Sequence, residues 1–147
     1  MKKIIAYIDG ASRGNPGPSG AGLAFYNEKK QVIKKYSKYL GEDLTNNEAE
    51  YSSAIFALEK FKALFGKELA KKTDLEIKSD SELLIKQLKG EYKVLDPKIQ
   101  KAFLKIWNLR IDFKKIKFTL VSREKNKLAD ELANQAIDSE KASQKLL

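Results

Sequence analysis

Hydrophobic residues in the first part of the chain alternate with polar ones or form short apolar runs bounded by turn residues. An Ile- and Tyr-rich segment from Lys2 to Asp9 predicts a first strand, and the Gly- and Pro-rich stretch 14–20 predicts a loop. Ala21 to Tyr26 predicts a second strand, and the alternation from Gln31 to Leu40 is typical of a half-exposed antiparallel strand. The chain is therefore expected to open with a three-stranded meander.

A helical pattern follows the meander. Thr45 and Glu48 have the spacing of a capping box, which predicts the start of a helix, and this helix is expected to stop at Gly66. A short apolar run from Leu75 to Ser79 predicts a fourth strand, and Ser81 to Leu88 predicts a short second helix. If the first helix is a crossover connection, the first and fourth strands are parallel neighbours.

The last third of the chain is predicted to contain a helix that starts at Asp96-Pro97, a fifth strand from Lys115 to Val121, a helix capped by Asn126 that ends near Ile137, and a frayed tail from Ser139 to Leu147. The order βββαβααβα predicts an α/β fold, in which helices pack on a five-stranded mixed sheet. At about 150 residues per domain, residues 1–147 are expected to form a single domain.

The composition narrows the chemistry that such a fold can carry out. The chain contains no cysteine and no histidine. This excludes disulfides, thiolate and imidazole metal sites, cysteine nucleophiles and Ser-His-Asp triads. An enzyme with this sequence must therefore use carboxylates, lysines, hydroxyls or a bound metal ion.

The chain is also strongly basic, with 29 Lys or Arg against 20 Asp or Glu and a net charge of +9. This excess suits a polyanionic partner, above all nucleic acid, although a lysine-rich genome composition would explain it equally well. No apolar run approaches the ~20 residues of a membrane span, and Asp9 and Gly10 interrupt the N-terminal apolar run too early for a signal peptide. We therefore expect a cytoplasmic protein with no membrane partner.

Two acidic residues follow predicted strands. Asp9 lies at the end of the first strand, and Asp80 lies just past the fourth. If these strands are parallel neighbours, the two carboxylates lie roughly one strand spacing apart, about 5 Å, at the sheet edge where ligands bind in folds of this kind. Taken singly, each residue is better explained as a turn or helix cap.

The first helix contributes a third carboxylate. At about 100° per residue, Glu50 falls on the apolar face of this helix, whereas Glu48 falls on the opposite side. The residues that share the face of Glu50 are Ala54, Ala57, Leu58, Phe61, Leu64 and Phe65. A carboxylate on a buried face is costly unless it is paired or holds a metal ion. Glu50 is therefore a functional candidate, and Glu48 is not.

Asp130, in the first turn of the last helix, completes a set of four acids. The helix dipole alone would explain an acid at this position, but beside Asp9, Glu50 and Asp80 it would form a carboxylate cluster. Four ionised carboxylates need cations between them, and all-oxygen ligation favours Mg²⁺ or Mn²⁺ over zinc. Two such ions about 4 Å apart would activate water and stabilise the leaving oxygen of a phosphodiester.

At these acids the sequence resembles the type 1 ribonuclease H family, across nearly the whole chain. The matching segments are Tyr7 to Ser12, Gly14 to Gly17, Thr45 to Tyr51, Ser79 to Ser81 and Asn126 to Ala133. Each segment is modest alone, but their order and spacing are specific, and the predicted element order is that of the family. The resemblance implies hydrolysis of the RNA strand of RNA/DNA hybrids by two-metal-ion catalysis, which leaves 5′-phosphate and 3′-hydroxyl ends.

Carried over by motif, the resemblance makes Asp9, Glu50, Asp80 and Asp130 the catalytic acids, which bind two Mg²⁺ ions or Mn²⁺ in their place. The substrate-binding residues that it implies are Ser12 and Asn15 near the substrate backbone, Thr45 in a pocket for a DNA-strand phosphate, and Asn46 and Asn47 at the minor groove. Asn15 is also a good turn residue and Thr45 a good helix cap. Arg123 is a further candidate, which would grip a phosphate near the scissile bond.

Two departures from the family pattern bear on activity. The loop 122–125 is short and lacks the histidine that many members carry, and the segment 87–99 is too short for the long basic protrusion of some members. Both features resemble a short, histidine-lacking branch found among archaea and some bacteria, and they leave action on double-stranded RNA open. We expect a monomer that binds RNA/DNA hybrids. The alternatives are another nuclease of the same fold and a catalytically weak or silent duplex-binding module.

Overall fold

A computed structural model gives the fold of residues 2–146. Its elements follow the predicted order and are β1 (Lys2–Ser12), β2 (Gly17–Tyr26), β3 (Val32–Leu44), α1 (Asn46–Lys71), β4 (Thr73–Ser79), α2 (Glu82–Leu88), α3 (Pro97–Arg110), β5 (Lys115–Leu120) and α4 (Lys127–Lys145), with a short 3₁₀ turn (Arg123–Asn126) before α4. Within the described residues, no helix has the length and apolar character that crossing a membrane requires.

The five strands form one mixed sheet in the order β3-β2-β1-β4-β5. β2 pairs antiparallel with both β1 and β3, whereas β4 pairs parallel with both β1 and β5. The parallel pairing of β1 with β4 confirms that α1 is a crossover connection. It also brings the carboxyl ends of β1 and β4 to the same edge of the sheet.

Helix α1 covers one face of the sheet. Ile8 on β1 and Ile77 on β4 belong to the same buried apolar cluster as Leu58 and Phe61 on α1, and all four are 0% exposed. Full burial of such a side chain contributes about 1.5–3 kcal/mol. This apolar layer therefore sets the rotation of α1 about its axis, and with it the direction in which the first turns of the helix point.

Helix α4 lies on the opposite face, where it contacts β1, β2 and β3. Close packing depends on Gly22 of β2, because a Cβ at this position would lie 2.0 Å from the carbonyl oxygen of Ala129. Further across this face, Lys78 on β4 is half-buried and Lys117 on β5 is exposed. The second face is thus covered over one half, and the other half faces solvent.

The first three strands differ from the prediction in their bounds. β1 continues past Asp9 to Ser12, β2 begins at Gly17 instead of Ala21, and β3 continues to Leu44. The added residues pair with one another, Ser12 with Ser19 and Gly17 with Leu44. The Gly- and Pro-rich stretch was predicted as a loop because turn residues dominate it, but pairing between the strands extends the sheet into it.

The predicted break of the first helix at Gly66 is confirmed, but a further helical segment follows it. Gly66 does leave the helical conformation, with φ of 85° and ψ of 163°, but the helix resumes beyond this kink and reaches Lys71. Burial of the resumed turn explains the difference, because Ala70 is 0% exposed and belongs to the apolar core. The local break signal at the glycine was correct, and tertiary packing continued the helix beyond it.

The frayed tail predicted from Ser139 is wrong, because α4 continues past Ile137 to Lys145. Gln144 donates a hydrogen bond from Nε2 to Oε1 of Glu42 on β3, at 2.9 Å. Leu147 lies outside the described residues. The bond from Gln144 to Glu42 joins residues 102 positions apart in sequence, so no local pattern could have indicated it.

Candidate active site

Three of the four predicted acids converge at the sheet edge. One carboxylate oxygen each from Asp9, Glu50 and Asp80 lies within 4.8 Å of the other two. Asp9 is on β1 and is 6% exposed, Asp80 directly follows β4, and Glu50 is in the second turn of α1. Parallel pairing of β1 with β4 and the apolar face of α1 therefore produce the cluster together.

Glu50 is held by the backbone of β1. The Gly10 N–H donates a hydrogen bond to Oε1 of Glu50 at 2.6 Å. A Cβ on Gly10 would lie 2.2 Å from the carbonyl oxygen of Ala49, so only glycine allows α1 to approach this closely. The orientation of the Glu50 carboxylate thus depends on the close approach of the α1 backbone to the β1 backbone.

Glu48 has the structural role that its helix position predicts. Its Oε1 accepts a hydrogen bond from the Thr45 N–H at 3.0 Å, and the Glu48 N–H donates to Oγ1 of Thr45 at 3.1 Å. This is the reciprocal capping box expected from the sequence. The structure therefore separates two glutamates two residues apart, of which one caps the helix and the other joins the carboxylate cluster.

Asp80 lies in a short turn held by two serines. The Ser81 N–H donates to Oγ of Ser79 at 3.0 Å, and the Leu84 N–H donates to Oγ of Ser81 at 3.2 Å. Ser79 is 0% exposed, so its hydroxyl is a fixed acceptor. The turn from β4 into α2 consequently places Asp80 without contributing a charge of its own.

Asp130 lies beside this group at the start of α4. It lies close enough to Asp9 to contribute to the raised pKa of that carboxyl group. Asn134 holds Asp130 from the next helical turn, since its Nδ2 donates to the Asp130 carbonyl oxygen at 3.0 Å and to Oδ1 at 3.3 Å. The structure thus brings all four predicted acids to one place.

Asn126 anchors the start of α4, although not as the predicted helix cap. Within the described residues, its side chain makes no capping hydrogen bond. Its Nδ2 instead donates to the carbonyl oxygen of Ile8 at 2.8 Å, one residue before Asp9. Neither this role nor that of Asn134 was identified from the sequence, because both bonds depend on how α4 docks.

The cluster raises the pKa values of its two most buried acids. Burial raises the pKa of Asp9 to about 9, and the charges of Glu50, Asp80 and Asp130 add to this effect. Burial likewise raises the pKa of Glu50 to about 8, although the Gly10 N–H and the nearby Arg123 act in the opposite direction. At neutral pH, a proton or a cation must therefore neutralise the cluster.

This donor set fits a hard divalent cation. All of its side-chain ligands are carboxylate oxygens, which Mg²⁺ and Mn²⁺ prefer. A divalent cation among them would replace the protons that burial and mutual repulsion otherwise impose. Burial and the neighbouring charges raise the pKa values of Asp9 and Glu50, and the negative potential that helps to retain their protons also favours binding of a cation.

Four of the six predicted substrate-binding residues line a pocket of about 340 Å³ next to the acids. This pocket is formed by Asn15, Thr45, Asn46, Asn47, Glu50, Ser81 and Leu83. Asn15 accepts a hydrogen bond at Oδ1 from the Asn46 N–H at 3.0 Å, which joins the β1–β2 loop to α1. Oδ1 of Asn47 is buried and has no hydrogen-bond partner within residues 2–146. This buried oxygen is therefore an acceptor that the described residues leave unused.

The two remaining candidates lie outside this pocket. The Ser12 hydroxyl is within hydrogen-bond distance of the carbonyl oxygens of Gly14 and Leu44, the latter at 2.8 Å. It therefore ties the β1–β2 loop to β3, and contact of Ser12 with a substrate stays a prediction. Arg123 is exposed in the 3₁₀ turn, near enough to Glu50 to oppose the rise in its pKa.

The raised pKa values predict an inverse pH dependence of stability in the metal-free protein. Since the pKa values of Asp9 and Glu50 rise from 3.8 and 4.5 to about 9 and 8 on folding, the folded state binds more protons than the unfolded chain between these values. Their contribution to stability is complete at low pH and is lost as the pH rises through the folded-state values. In EDTA at pH 8, we expect Asp9→Asn to raise the melting temperature by roughly 3–8 °C.

Thermal melts in EDTA at pH 5 and pH 8 test this expectation. The gain from Asp9→Asn should be smaller at pH 5, where Asp9 and Glu50 of the wild type are already protonated. Adding Mg²⁺ at pH 8 should raise the melting temperature of the wild type more than that of the variant, because a bound cation removes the same repulsion. An Asp9→Asn protein that melts below the wild type at pH 8 in EDTA would contradict the electrostatic account.

Comparison with known proteins supports the resemblance to the type 1 ribonuclease H family. A family model described as reverse transcriptase-like matches residues 7–136. Ribonuclease HI of Halobacterium salinarum is 38% identical over 136 residues, which cover 92% of this chain and 65% of that protein. A bifunctional protein of Mycobacterium tuberculosis is 34% identical over 137 residues, 93% of this chain and 36% of its own length. The chain thus spans between one third and two thirds of these relatives.

Two solved structures of ribonucleases H1 match this chain over nearly the whole length of both proteins. The crystal structure of LC11 ribonuclease H1 in complex with an RNA/DNA hybrid has a TM-score of 0.87 and 41% identity, and the match covers 92% of this chain and 97% of that one. The crystal structure of ribonuclease H1 from Halobacterium salinarum has a TM-score of 0.85 and 36% identity, with 93% and 98% covered. With the fold, the carboxylate cluster and these matches in agreement, the chain belongs to the reverse transcriptase-like family and, within it, to the type 1 ribonucleases H.

Proposed function

We propose that this protein is an endoribonuclease that hydrolyses the RNA strand of RNA/DNA hybrids by two-metal-ion catalysis, leaving 5′-phosphate and 3′-hydroxyl ends. The observation that carries the proposal is the convergence of one carboxylate oxygen each from Asp9, Glu50 and Asp80 within 4.8 Å, with Asp130 near enough to raise the pKa of Asp9. It is supported by the relatives that bear the name ribonuclease H and by the LC11 enzyme, whose structure contains an RNA/DNA hybrid.

Asp9, Glu50, Asp80 and Asp130 are the residues that would hold the metal ions, Mg²⁺ or Mn²⁺ in its place. When bound, these ions supply an activated water and charge stabilisation at the leaving oxygen of a phosphodiester. The protein supplies the orientation of the ligands. The Gly10 N–H fixes one oxygen of Glu50, and Asn134 fixes Asp130.

The amide-lined pocket gives a basis for choosing RNA. Asn15, Asn46 and Asn47 lie together with Glu50 around one pocket, so a sugar next to the reacting phosphate would face amide groups. The free Oδ1 of Asn47 would accept a hydrogen bond from a ribose 2′-hydroxyl, the group that separates RNA from DNA. Selectivity for RNA would thus arise in a pocket that Glu50 also lines.

Phosphate contacts position the duplex. The Thr45 hydroxyl lies at the N-terminus of α1, where backbone N–H groups and the helix dipole favour an anion. Arg123 offers a guanidinium near Glu50. The net charge of +9 supports long-range attraction of a polyanion.

Cleavage assays with labelled duplexes test the proposal. With Mg²⁺ or Mn²⁺, we expect the RNA strand of an RNA/DNA hybrid to be cut to 5′-phosphate products, DNA/DNA to stay intact, and EDTA to abolish cleavage. An RNA/RNA duplex in the same series decides whether double-stranded RNA is a substrate. Hybrid that is bound but never cut with either metal would contradict the proposal and favour the silent duplex-binding module. A monomeric state and a cytoplasmic location stay predictions.

A further inference from the structure

A second pocket lies on the half of the sheet that α4 leaves open to solvent. It has a volume of about 310 Å³ and is lined by Ile5, Tyr7, Tyr26, Lys30, Lys78 and Lys125. These residues come from β1, β2, β4, the β2–β3 turn and the turn before α4. We call it the tyrosine–lysine pocket. Its residues have no part in the mechanism derived above.

The floor of the tyrosine–lysine pocket is aromatic. Tyr7 pairs with Lys78 across β1 and β4, and Ile5 pairs with Tyr26 across β1 and β2. The rings of Tyr7 and Tyr26 meet edge to face with centroids 5.1 Å apart, and the Lys78 ammonium lies 5.4 Å from the Tyr7 ring centroid. Flat π-surfaces and an ammonium group therefore adjoin within one concave site.

The charge of the pocket has one sign. None of its described lining residues is acidic, and within residues 2–146 none of its three lysines lies within ion-pair distance of a carboxylate. Glu76 shares this face of the sheet, but it is bonded to Thr119 and paired with Lys3. Lys78 is also close enough to Glu76 to lower the pKa of that carboxyl group, but the three lysines leave the pocket with an excess of positive charge. An excess of positive charge around an aromatic floor favours an anion that also has a flat apolar part.

Lys30 reaches this pocket from a strained position. Its φ of 63° lies in the left-handed region, which glycine and asparagine adopt with less cost than lysine. Asn27 maintains the turn, since its Oδ1 accepts hydrogen bonds from the N–H groups of Lys29 and Gln31 at 2.9 and 3.0 Å. Lysine costs more free energy in this backbone conformation than glycine or asparagine would. Such local strain is typical of residues with a functional role, here a role of the ammonium group.

The pocket lies next to the catalytic acids on the same sheet face. Tyr7 is two residues before Asp9 on β1, so their side chains point to the same side of the sheet, about 7 Å apart along the strand. Lys78 pairs with Tyr7 across β1 and β4. We propose that the tyrosine–lysine pocket binds a nucleotide of single-stranded nucleic acid, with its phosphate at the lysines and its base against the tyrosines. Insofar as this strand is the RNA strand running past the acids, the inference rests on the proposed function.

A single strand fits this pocket better than a duplex does. In a duplex, each base is paired and stacked inside the helix, so only the backbone would reach the tyrosine rings. An unpaired nucleotide presents both its phosphate and a free base face, which is what an aromatic floor with a cationic rim can hold. The expected ligand is therefore a hybrid whose RNA strand extends beyond the paired region.

Binding measured in EDTA separates this site from cleavage. Fluorescence anisotropy would compare a blunt RNA/DNA hybrid with the same hybrid bearing a short single-stranded RNA extension at the 5′ or the 3′ end, and with the free single-stranded oligoribonucleotide. We expect one of the extensions to tighten binding about five- to tenfold, as stacking of one base does. Lys30→Asn, which relieves the backbone strain, should remove most of this gain and leave affinity for the blunt hybrid unchanged.

The matched control is Lys29→Ala, which removes the same charge from the same turn but outside the pocket, and which should keep the gain. A further probe is an extended hybrid whose extension lacks its base. The wild type should bind the normal extension more tightly than this abasic one, and Tyr26→Leu should bind the two equally. Equal binding of blunt and extended hybrids would overturn the inference, as would equal losses in Lys30→Asn and Lys29→Ala. A blunt hybrid that is neither bound nor cut would count against the proposed function instead. Loss of single-strand binding in Lys30→Asn would still support the pocket in that case.

Discussion

Asp9→Asn is expected to lower the rate of hybrid cleavage by roughly a thousandfold or more, since each ~1.4 kcal/mol added to the barrier is a factor of ten. Asp9 belongs to the cluster, with a carboxylate oxygen within 4.8 Å of one from Glu50 and one from Asp80, and Asp130 is near enough to raise its pKa. Asparagine keeps the size of the side chain but removes the charge that a metal ion requires. Single-turnover cleavage in Mg²⁺ measures the effect, and hybrid affinity in EDTA should change little.

Two glutamates in the first turns of α1 give a matched control for this result. Glu50→Gln should be nearly inactive, because Glu50 belongs to the carboxylate cluster. Glu48→Gln should stay active and lose at most about 1 kcal/mol of stability, because Glu48 only caps the helix. An inactive Glu48→Gln protein beside an active Glu50→Gln protein would show that the assignment of the two residues is reversed.

Gly10→Ala is expected to destabilise the protein by about 3 kcal/mol or more, since overpacking against backbone cannot be relieved by a rotamer change. The added Cβ would lie 2.2 Å from the Ala49 carbonyl oxygen and 2.5 Å from the Glu50 nitrogen. Helix α1 must then move away from β1, and the 2.6 Å bond from the Gly10 N–H to Glu50 breaks. Urea denaturation and the cleavage rate should both report the damage.

Gly90→Ala is the appropriate comparison for this variant. Within residues 2–146, no atom lies within 4 Å of a Cβ placed on Gly90, although its φ is 79°. The alanine there should cost only the strain of the left-handed conformation, about 1–2 kcal/mol, and should leave cleavage unchanged. Equal losses of stability and activity in the two variants would mean that close approach of α1 to β1 is not what requires glycine at position 10.

Local patterns were sufficient where a residue's role depends on its own element. The phase of a helix is a property of a few neighbouring residues, so the apolar face of α1 identified Glu50 and the capping box identified Glu48. The same holds for α3, whose start at Pro97 with Asp96 as its cap was predicted. Apolar runs followed by an acid marked Asp9 and Asp80 as candidates, although β1 continues past Asp9 to Ser12 and only Asp80 lies beyond its strand.

Local patterns were insufficient where the deciding partner is distant in sequence. Asn126 was expected to cap α4, but the approach of β1 offered its side chain the carbonyl oxygen of Ile8 instead. Gly66 was expected to end α1, but burial of Ala70 stabilised a further turn. At Asn126 a tertiary contact replaced the expected local one. At Gly66 the helix does break, and burial of Ala70 adds a helical segment after the break.

The sequence by itself determined the order of the elements and the four candidate acids, which follow from periodicity, capping and strand ends. The family followed from the resemblance of five short segments to the motifs of type 1 ribonucleases H. Only the tertiary structure decided which side chains share a surface. The amide pocket beside Glu50 joins residues 15 to 83, and the tyrosine–lysine pocket joins residues 5 to 125. The physical reason is that strand register and helix docking minimise the free energy of the whole chain, and no segment contains that information alone.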